Sequence, residues 1–237
     1  MKRKHCNTVP TERNQKMKPN STPQRGFTLV ELMVVVMLTG IMAAFALPNM
    51  SAWAQRQAVR SKAEQTANLF RFARSEAVRL NVPVLVCPVT IKTDGSPNNN
   101  CQAPTPNAVQ GLTAFADRNR DGALVTDEAI RTIAVNQNGA NQQNPIAVTI
   151  QTQSFGSSKP PADLATPRFA FLPNGTFGWY AGGSLQVGSG EARLTFSKNN
   201  DGKKLSSMIF LDASGRSGAC PANYTASDVA SPICGEP

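Results

Sequence analysis

Apolar residues are not spread evenly along the chain. They crowd into one run from Phe27 to Leu47, closed by Pro48, in which Glu31 is the only charge. As a helix rising about 1.5 Å per residue, this run spans about 30 Å, the thickness of one bilayer core. The period then changes. Val59, Ala63, Ala67, Phe70, Ala73 and Ala77 recur at spacings of three and four, and Leu69, Phe72 and Leu80 widen the stripe. Arg56, Arg60, Glu64, Arg71, Arg74 and Arg79 keep largely to the other side. One helix is therefore predicted to run on to about Leu80, membrane-spanning over 27–47 and amphipathic over 48–80. Pro48 removes a backbone donor inside it, so a bend or local melt is expected there. The basic row reads as a solvated face or a contact with neighbouring subunits.

Asn81-Val82-Pro83 breaks the helix, and the pattern beyond it is β-branched and aromatic. Strands are predicted over 84–89, 112–116, 129–135, 146–152, 168–172, 176–180, 192–198 and 205–212. Pro173-Asn174-Gly175 and Asn200-Asp201-Gly202 have the composition of hairpin turns. The stretch holding Gly182, Gly183, Gly188 and Gly190 reads as loop, as does 154–167. One long helix followed by antiparallel strands makes an α+β fold, with a body over 81–237 packed on the helix. Such a body is large enough for one core and does not call for a second domain.

Charge changes the picture at the N-terminus. The chain carries a formal +9. Residues 1–26 hold seven Lys and Arg against Glu12 alone, a net +6, which leaves only +3 for everything after Gly26. A basic head before an apolar run stays on the cytoplasmic side, which places the body in the periplasm. The high isoelectric point therefore resides mostly in the head and is poor evidence for nucleic-acid binding. The single histidine, His5, is in the head too, so the rest of the chain offers no Ser-His-Asp triad and no histidine metal site. No phosphate loop, dinucleotide fingerprint or nucleophile elbow is present in the sequence, and an enzymatic reading is poor.

Glu31 is the residue that does not belong in an apolar segment, where a carboxylate costs a few kcal/mol. It lies one helical turn beyond the Gly26–Phe27 junction. A cut at that junction creates an α-amine close to it, on the same chain or a neighbour. The alternative is a signal-anchor whose glutamate snorkels to the interface. The block Gly26-Phe27-Thr28-Leu29-Val30-Glu31-Leu32 resembles the prepilin peptidase site of type IV pilins and type II secretion pseudopilins. The resemblance implies cleavage after Gly26, N-methylation of Phe27, subunit registration by Glu31 and a helix kink at Pro48. It also implies prepilin peptidase, the inner membrane and other major and minor pilins as partners. Residues 69–78, Leu-Phe-Arg-Phe-Ala-Arg-Ser-Glu-Ala-Val, resemble the helix end of the GspH/FimT group. A minor pilin that helps start or cap a pilus is the expectation from that group. A pseudopilin of type II secretion is the alternative.

Of five cysteines, Cys6 is in the head, while Cys87, Cys101, Cys220 and Cys234 fall in the body. An even count in an oxidising compartment reads as two disulfides. Three pairings are possible, and short loops favour Cys87–Cys101 with Cys220–Cys234. Two further motifs carry candidate chemistry. Asp117, Asn119, Asp121 and Glu128, with Gly122, match the spacing of a calcium loop, whose oxygen ligands suit a hard cation. The predicted strands on both sides favour a polar hairpin tip instead, a turn that resembles one common in the GspH/FimT group. After the last strand, Gly215 and Arg216 resemble the start of a Gly-Arg-x-Arg motif that binds DNA in some FimT-type minor pilins. The second arginine is Gly218 here, which leaves Arg216 alone, with Lys198, Lys203 and Lys204 as a basic rim.

Overall fold

A computed structural model describes residues 26–102, 109–125, 127–136, 144–156, 162–163, 167–181, 183–200 and 203–220. The side chains of 44–49, 51, 52, 162, 163, 200 and 203 lie outside that description. So do residues 1–25 with Cys6, and 221–237 with Cys234. Helix α1 is assigned from Leu29 to Leu80 without interruption, Pro48 included. The helical pattern continues through Pro48, so the expected local melt is not found there. Asn81, at φ 55°, supplies the left-handed residue that ends it.

The chain divides into two units after Ala46. In the first, every described side chain from 26 to 43 is exposed, and Phe27, Leu29, Met37 and Met42 are each more than two-thirds so. Among the described residues no helix is long and apolar enough to cross a membrane. The described apolar stretch, 29–43, falls short of the about 20 residues that a span needs. The expected segment 27–47 continues into side chains that lie outside the description.

In the second unit the amphipathic stripe is buried as its spacing predicts. Val59, Ala63, Ala67, Leu69, Phe70, Ala73 and Ala77 are all at most 1% exposed. The small alanines let the helix approach closely, and Phe70 is the large side chain that fills the space beyond. The strands are β1 Val84–Val89, β2 Gly111–Ala116, β3 Ala129–Ala134, β4 Ala147–Ser154, β5 Ala162–Asp163 and β6 Phe169–Phe171, followed by β7 Phe177–Ala181, β8 Ser184–Val187, β9 Gly190–Asn200, β10 Lys203–Leu211 and β11 Ser217–Cys220. Every pairing among them is antiparallel.

Two sheets form, in the orders β3-β2-β1-β6-β7-β8 and β11-β10-β9-β4-β5. One core joins α1 to the inner faces of both, through Phe70, Phe169, Phe171, Phe177, Trp179, Leu194, Phe196 and Ile209. Asn136 bridges the chain where it passes from one sheet to the other. Its buried amide donates to Val109 O and Ile146 O and accepts from Ile146 N. Each polar atom of that side chain has a partner, as burial demands.

Strands β1 and β2 are buried on both faces. A second, smaller core covers their outer side, built from Leu85, Cys87, Val89, Phe115, Leu124 and Ala170. The Cys87–Cys101 disulfide, S–S 2.03 Å, closes that layer. It spans a sequence separation of 14, a loop whose closure in the unfolded chain contributes about 3 kcal/mol in the chain-entropy model. Replacing both residues by Ser should therefore lower unfolding stability by about 3 kcal/mol, read as a shift of the urea midpoint. Cys220 is disulfide-bonded as well, and Cys234 lies outside the described residues.

Candidate functional site

The N-terminal block is built around a helix end. Thr28 immediately precedes α1, and its Oγ1 accepts a hydrogen bond from Glu31 N at 3.2 Å. Its carbonyl accepts from Leu32 N, also at 3.2 Å. Thr28 is therefore the N-cap and Glu31 the third helical residue, the Thr-x-x-Glu spacing of a capping box. This places a carboxylate in the first turn, where the partial positive charge of the helix end favours it. Gly26 and Phe27 stand just ahead of the helix, and Phe27 is 82% exposed. The structure thus brings Gly26, Phe27 and Glu31 within one turn of each other, on a segment whose apolar side chains have no cover. The cap at Thr28 was legible from its spacing to Glu31, although sequence reasoning assigned it no role.

The calcium-like motif connects β2 to β3, strands rather than helices. Most of the polar atoms of Asp117, Asn119 and Asp121 are spent on the turn. Asp117 Oδ2 accepts from Gly122 N, Asn119 Nδ2 donates to Asp121 Oδ2, and Asp121 Oδ1 accepts from Ala123 N. Arg168 fastens the tip by donating to Gly122 O at 2.7 Å while stacking 4.7 Å from the Tyr180 ring centroid. Among the described residues Asp117, Asp121 and Glu128 do not converge into a metal-holding group. Arg120 and Gly122 take left-handed backbone, as a tight polar turn requires.

Asp117 is 1% exposed, and its Oδ1 has no hydrogen-bond partner. Burial pushes its carboxyl above the ordinary range, against the lowering effect of the Gly122 amide and with a smaller push from Asp121. A raised folded value means that the native state holds the proton longer than the unfolded chain does. Stability should therefore fall as pH rises from the ordinary carboxylate value near about 3.9 through the folded one. Asp117→Asn, which keeps an acceptor for Gly122, should flatten that slope in denaturation midpoints measured across the acid range.

Arg216 sits in the turn after β10, and its Nε is 2.7 Å from Asp212 Oδ2. Ser214 and the Arg216 amide also donate to Asp212. Burial raises the Asp212 carboxyl, but these bonds outweigh it and hold the group below its usual range. The charge that sequence reasoning offered to DNA is thus offset inside its own turn. Lys198 and Lys204 belong to the β9–β10 hairpin end, at the opposite end of β10 from Arg216. Lys204 and Leu211 lie seven positions apart along the strand, about 24 Å, so no shared basic rim forms with Arg216.

The sequence places Arg71 and Arg74 in a basic row that reads as a solvated face or a contact with neighbouring subunits. In the structure both reach across to the sheets. Arg71 donates to Ser217 O and Arg74 to Gly175 O.

Comparison with known proteins bears on these elements. A family model described as "Type II transport protein GspH" matches residues 62–215, from the amphipathic half of α1 to the turn after β10. The chain belongs to the GspH family. A second model, "Prokaryotic N-terminal methylation motif", matches residues 21–47, and so covers Gly26, Phe27 and Glu31. Among curated relatives of this GspH-family chain is "Type IV major fimbrial protein FimA" of Dichelobacter nodosus. It is 29% identical over 119 residues, 49% of this chain and 62% of that protein. The aligned region therefore spans less than two-thirds of that relative. Among solved structures, the Pseudomonas aeruginosa type IV minor pilin FimU aligns in space group P21 at 16% identity and TM-score 0.36, over 73% of this chain and 98% of FimU. In space group P65 it aligns at TM-score 0.34, also at 16% identity, over 70% and 97%.

Proposed function

We propose that this GspH-family chain is a minor pilin of a type IV pilus that helps initiate or cap filament assembly. The observation that carries the reading is the N-terminal block. A methylation-motif match over 21–47 coincides with a helix that starts at Leu29 and carries Glu31 in its first turn. In this reading the basic head holds the N-terminus in the cytoplasm and the apolar run spans the inner membrane. Prepilin peptidase cuts after Gly26 and the new Phe27 amine is methylated. The amine then pairs with Glu31 of an adjacent subunit. The exposed apolar helix leaves the bilayer for the helical core of the filament, where the surface left uncovered between 26 and 43 finds partners. The β body remains outside.

Mass spectrometry of the protein recovered from cells tests this directly. The expected N-terminus is N-methylated Phe27. An intact head, or any other first residue, rejects the reading.

A second reading has its own support, because the matching family model is described as a type II transport protein. The same processing chemistry then serves a secretion pseudopilus. A deletion strain separates the two. Loss of pili with normal protein secretion favours the pilus, and the reverse favours the secretion machine.

A further inference from the structure

Arg71, Arg74, Val78, Gly215, Arg216 and Ser217 line an open cleft of about 610 Å³, between the last turns of α1 and the turn after β10. Its three guanidinium groups are each held along one edge. Arg71 donates through Nη1 to Asn68 Oδ1 at 2.8 Å and through Nη2 to Ser217 O at 3.2 Å. Arg74 donates through Nε to Gly175 O at 3.0 Å, and Arg216 through Nε to Asp212. A guanidinium has five N–H donors in a rigid fork. Both terminal nitrogens of Arg74, both of Arg216, and Nε of Arg71 remain without a partner among the described residues.

Two features make this more than a row of surface charges. First, the position of Arg74 is built. Gly175 and Gly215 adopt φ of 81° and 78°, and a Cβ on Gly215 would meet Gly175 O at 2.6 Å and Arg74 Nε at 3.1 Å. Two glycine turns thus close around this one side chain. Secondly, the charge is not compensated. Arg216 has Asp212, but Arg71 and Arg74 are oriented by neutral oxygens, which fix a guanidinium without cancelling it. The cleft presents an unspent fork on Arg74, which a planar carboxylate matches two bonds at a time, and beside it the free Nε of Arg71.

The dimensions and composition point to a peptide rather than a nucleic acid. The volume lies in the about 300–1,000 Å³ range of pockets that take small ligands or short segments. Val78, 55% exposed, adds an apolar wall. Attraction to a duplex scales with the number of phosphates neutralised, and only two uncompensated cations are available here, next to the Asp212 carboxylate. We propose that this cleft is a docking site for an acidic peptide segment of a neighbouring subunit, whose carboxylates take the free fork of Arg74 and the free Nε of Arg71. The neighbouring-subunit source rests on the filament reading above.

The test uses the full chain in detergent micelles and the fluorescein-labelled peptide Gly-Glu-Val-Glu-Glu-Gly, by anisotropy at low salt. The peptide should bind, and its Gln counterpart should not. Arg71→Gln and Arg74→Gln should each weaken binding by about tenfold, as expected for loss of a charge-assisted pair. Arg74→Lys, which keeps the charge but not the fork, should recover only part. Arg56→Gln, elsewhere on the exposed face, should change nothing. If Arg74→Gln fails to fold, the exposed Arg71 carries the comparison. No binding of the Glu peptide, equal binding of the Gln peptide, or indifference to Arg71→Gln overturns the proposal. Tighter binding of a short DNA duplex with the same arginine dependence overturns it too. In cells, a photo-crosslinker at Val78 should give an adduct to an Asp- or Glu-rich segment that Arg71→Gln abolishes. No adduct, or one to a basic segment, overturns the subunit source. The peptide result does not depend on processing, so it can fail while methylated Phe27 stands, or hold while that reading falls.

Discussion

Phe70→Ala is expected to destabilise the body by about 3–5 kcal/mol, the cost of emptying a large aromatic site in a packed core. Phe70 is fully buried. It meets Phe169 edge-on, with ring centroids 5.6 Å apart and planes at 83°, and Phe171 at 6.1 Å. Behind those two stand Phe177 and Trp179, so the ring is the helix's contribution to a contiguous aromatic layer. Its neighbours are strand residues fixed by hydrogen-bonded ladders on both sides, and they cannot collapse into the space the lost phenyl ring leaves. The internal control is two residues away. Phe72 is only half-buried, against the Arg131 guanidinium 5.1 Å from its centroid, and Phe72→Ala should cost about 1 kcal/mol. Urea denaturation of both variants, followed by circular dichroism, gives the comparison. Similar midpoints for the two would mean that the helix does not dock through Phe70.

That contrast was legible in the sequence, because a three-and-four spacing puts Phe70 on the alanine face and Phe72 at its margin. The eight predicted strands have counterparts at nearly the same positions, since β-branched and aromatic residues fit a half-buried pleated surface. Three strands are not legible from composition: β5 and β8 fall in stretches that read as loop, and β11 in the tail. Ser184–Val187 and Ser217–Cys220 hold little strand-forming composition and are strands only because β7 and β10 pair with them. At Gly178 the approach of β8 is so close that a Cβ would lie 2.4 Å from Gln186 O. The division into two sheets was not legible either, since it depends on tertiary contacts such as the Asn136 bridge. The same limit hid the arginine cleft. Arg71 and Arg74 lie on the polar side of the helix, and what distinguishes them from Arg56 is a bond 146 residues away in one case and 101 in the other. Periodicity describes the face a residue occupies, not what the far end of a long side chain reaches.

Glu31→Gln should lower incorporation into filaments by at least about tenfold while leaving cleavage after Gly26 intact. Glutamine is the informative replacement because Glu31 has two physical roles that it separates. As the third residue of α1 it gives its backbone N–H to Thr28 Oγ1 and stands at the acidic position of the capping-box spacing, a position that glutamine fills as well as glutamate. As a charge in an otherwise apolar segment it needs a cationic partner, which in the proposed assembly is the methylated Phe27 amine of an adjacent subunit. A glutamine cannot ion-pair. If the helix end were all that Glu31 supports, the Gln variant would assemble normally and Thr28→Ala would be the damaging change, by about 1 kcal/mol of helix stability. If the charge registers subunits, the Gln variant should accumulate in the membrane, processed at Phe27 but absent from sheared filaments, and Glu31→Val should behave the same way. Immunoblots of sheared and membrane fractions measure the partition, and the N-terminal mass reports processing in the same samples. Normal incorporation of Glu31→Gln would leave the residue as a helix cap and remove the charge-pairing step from the assembly mechanism.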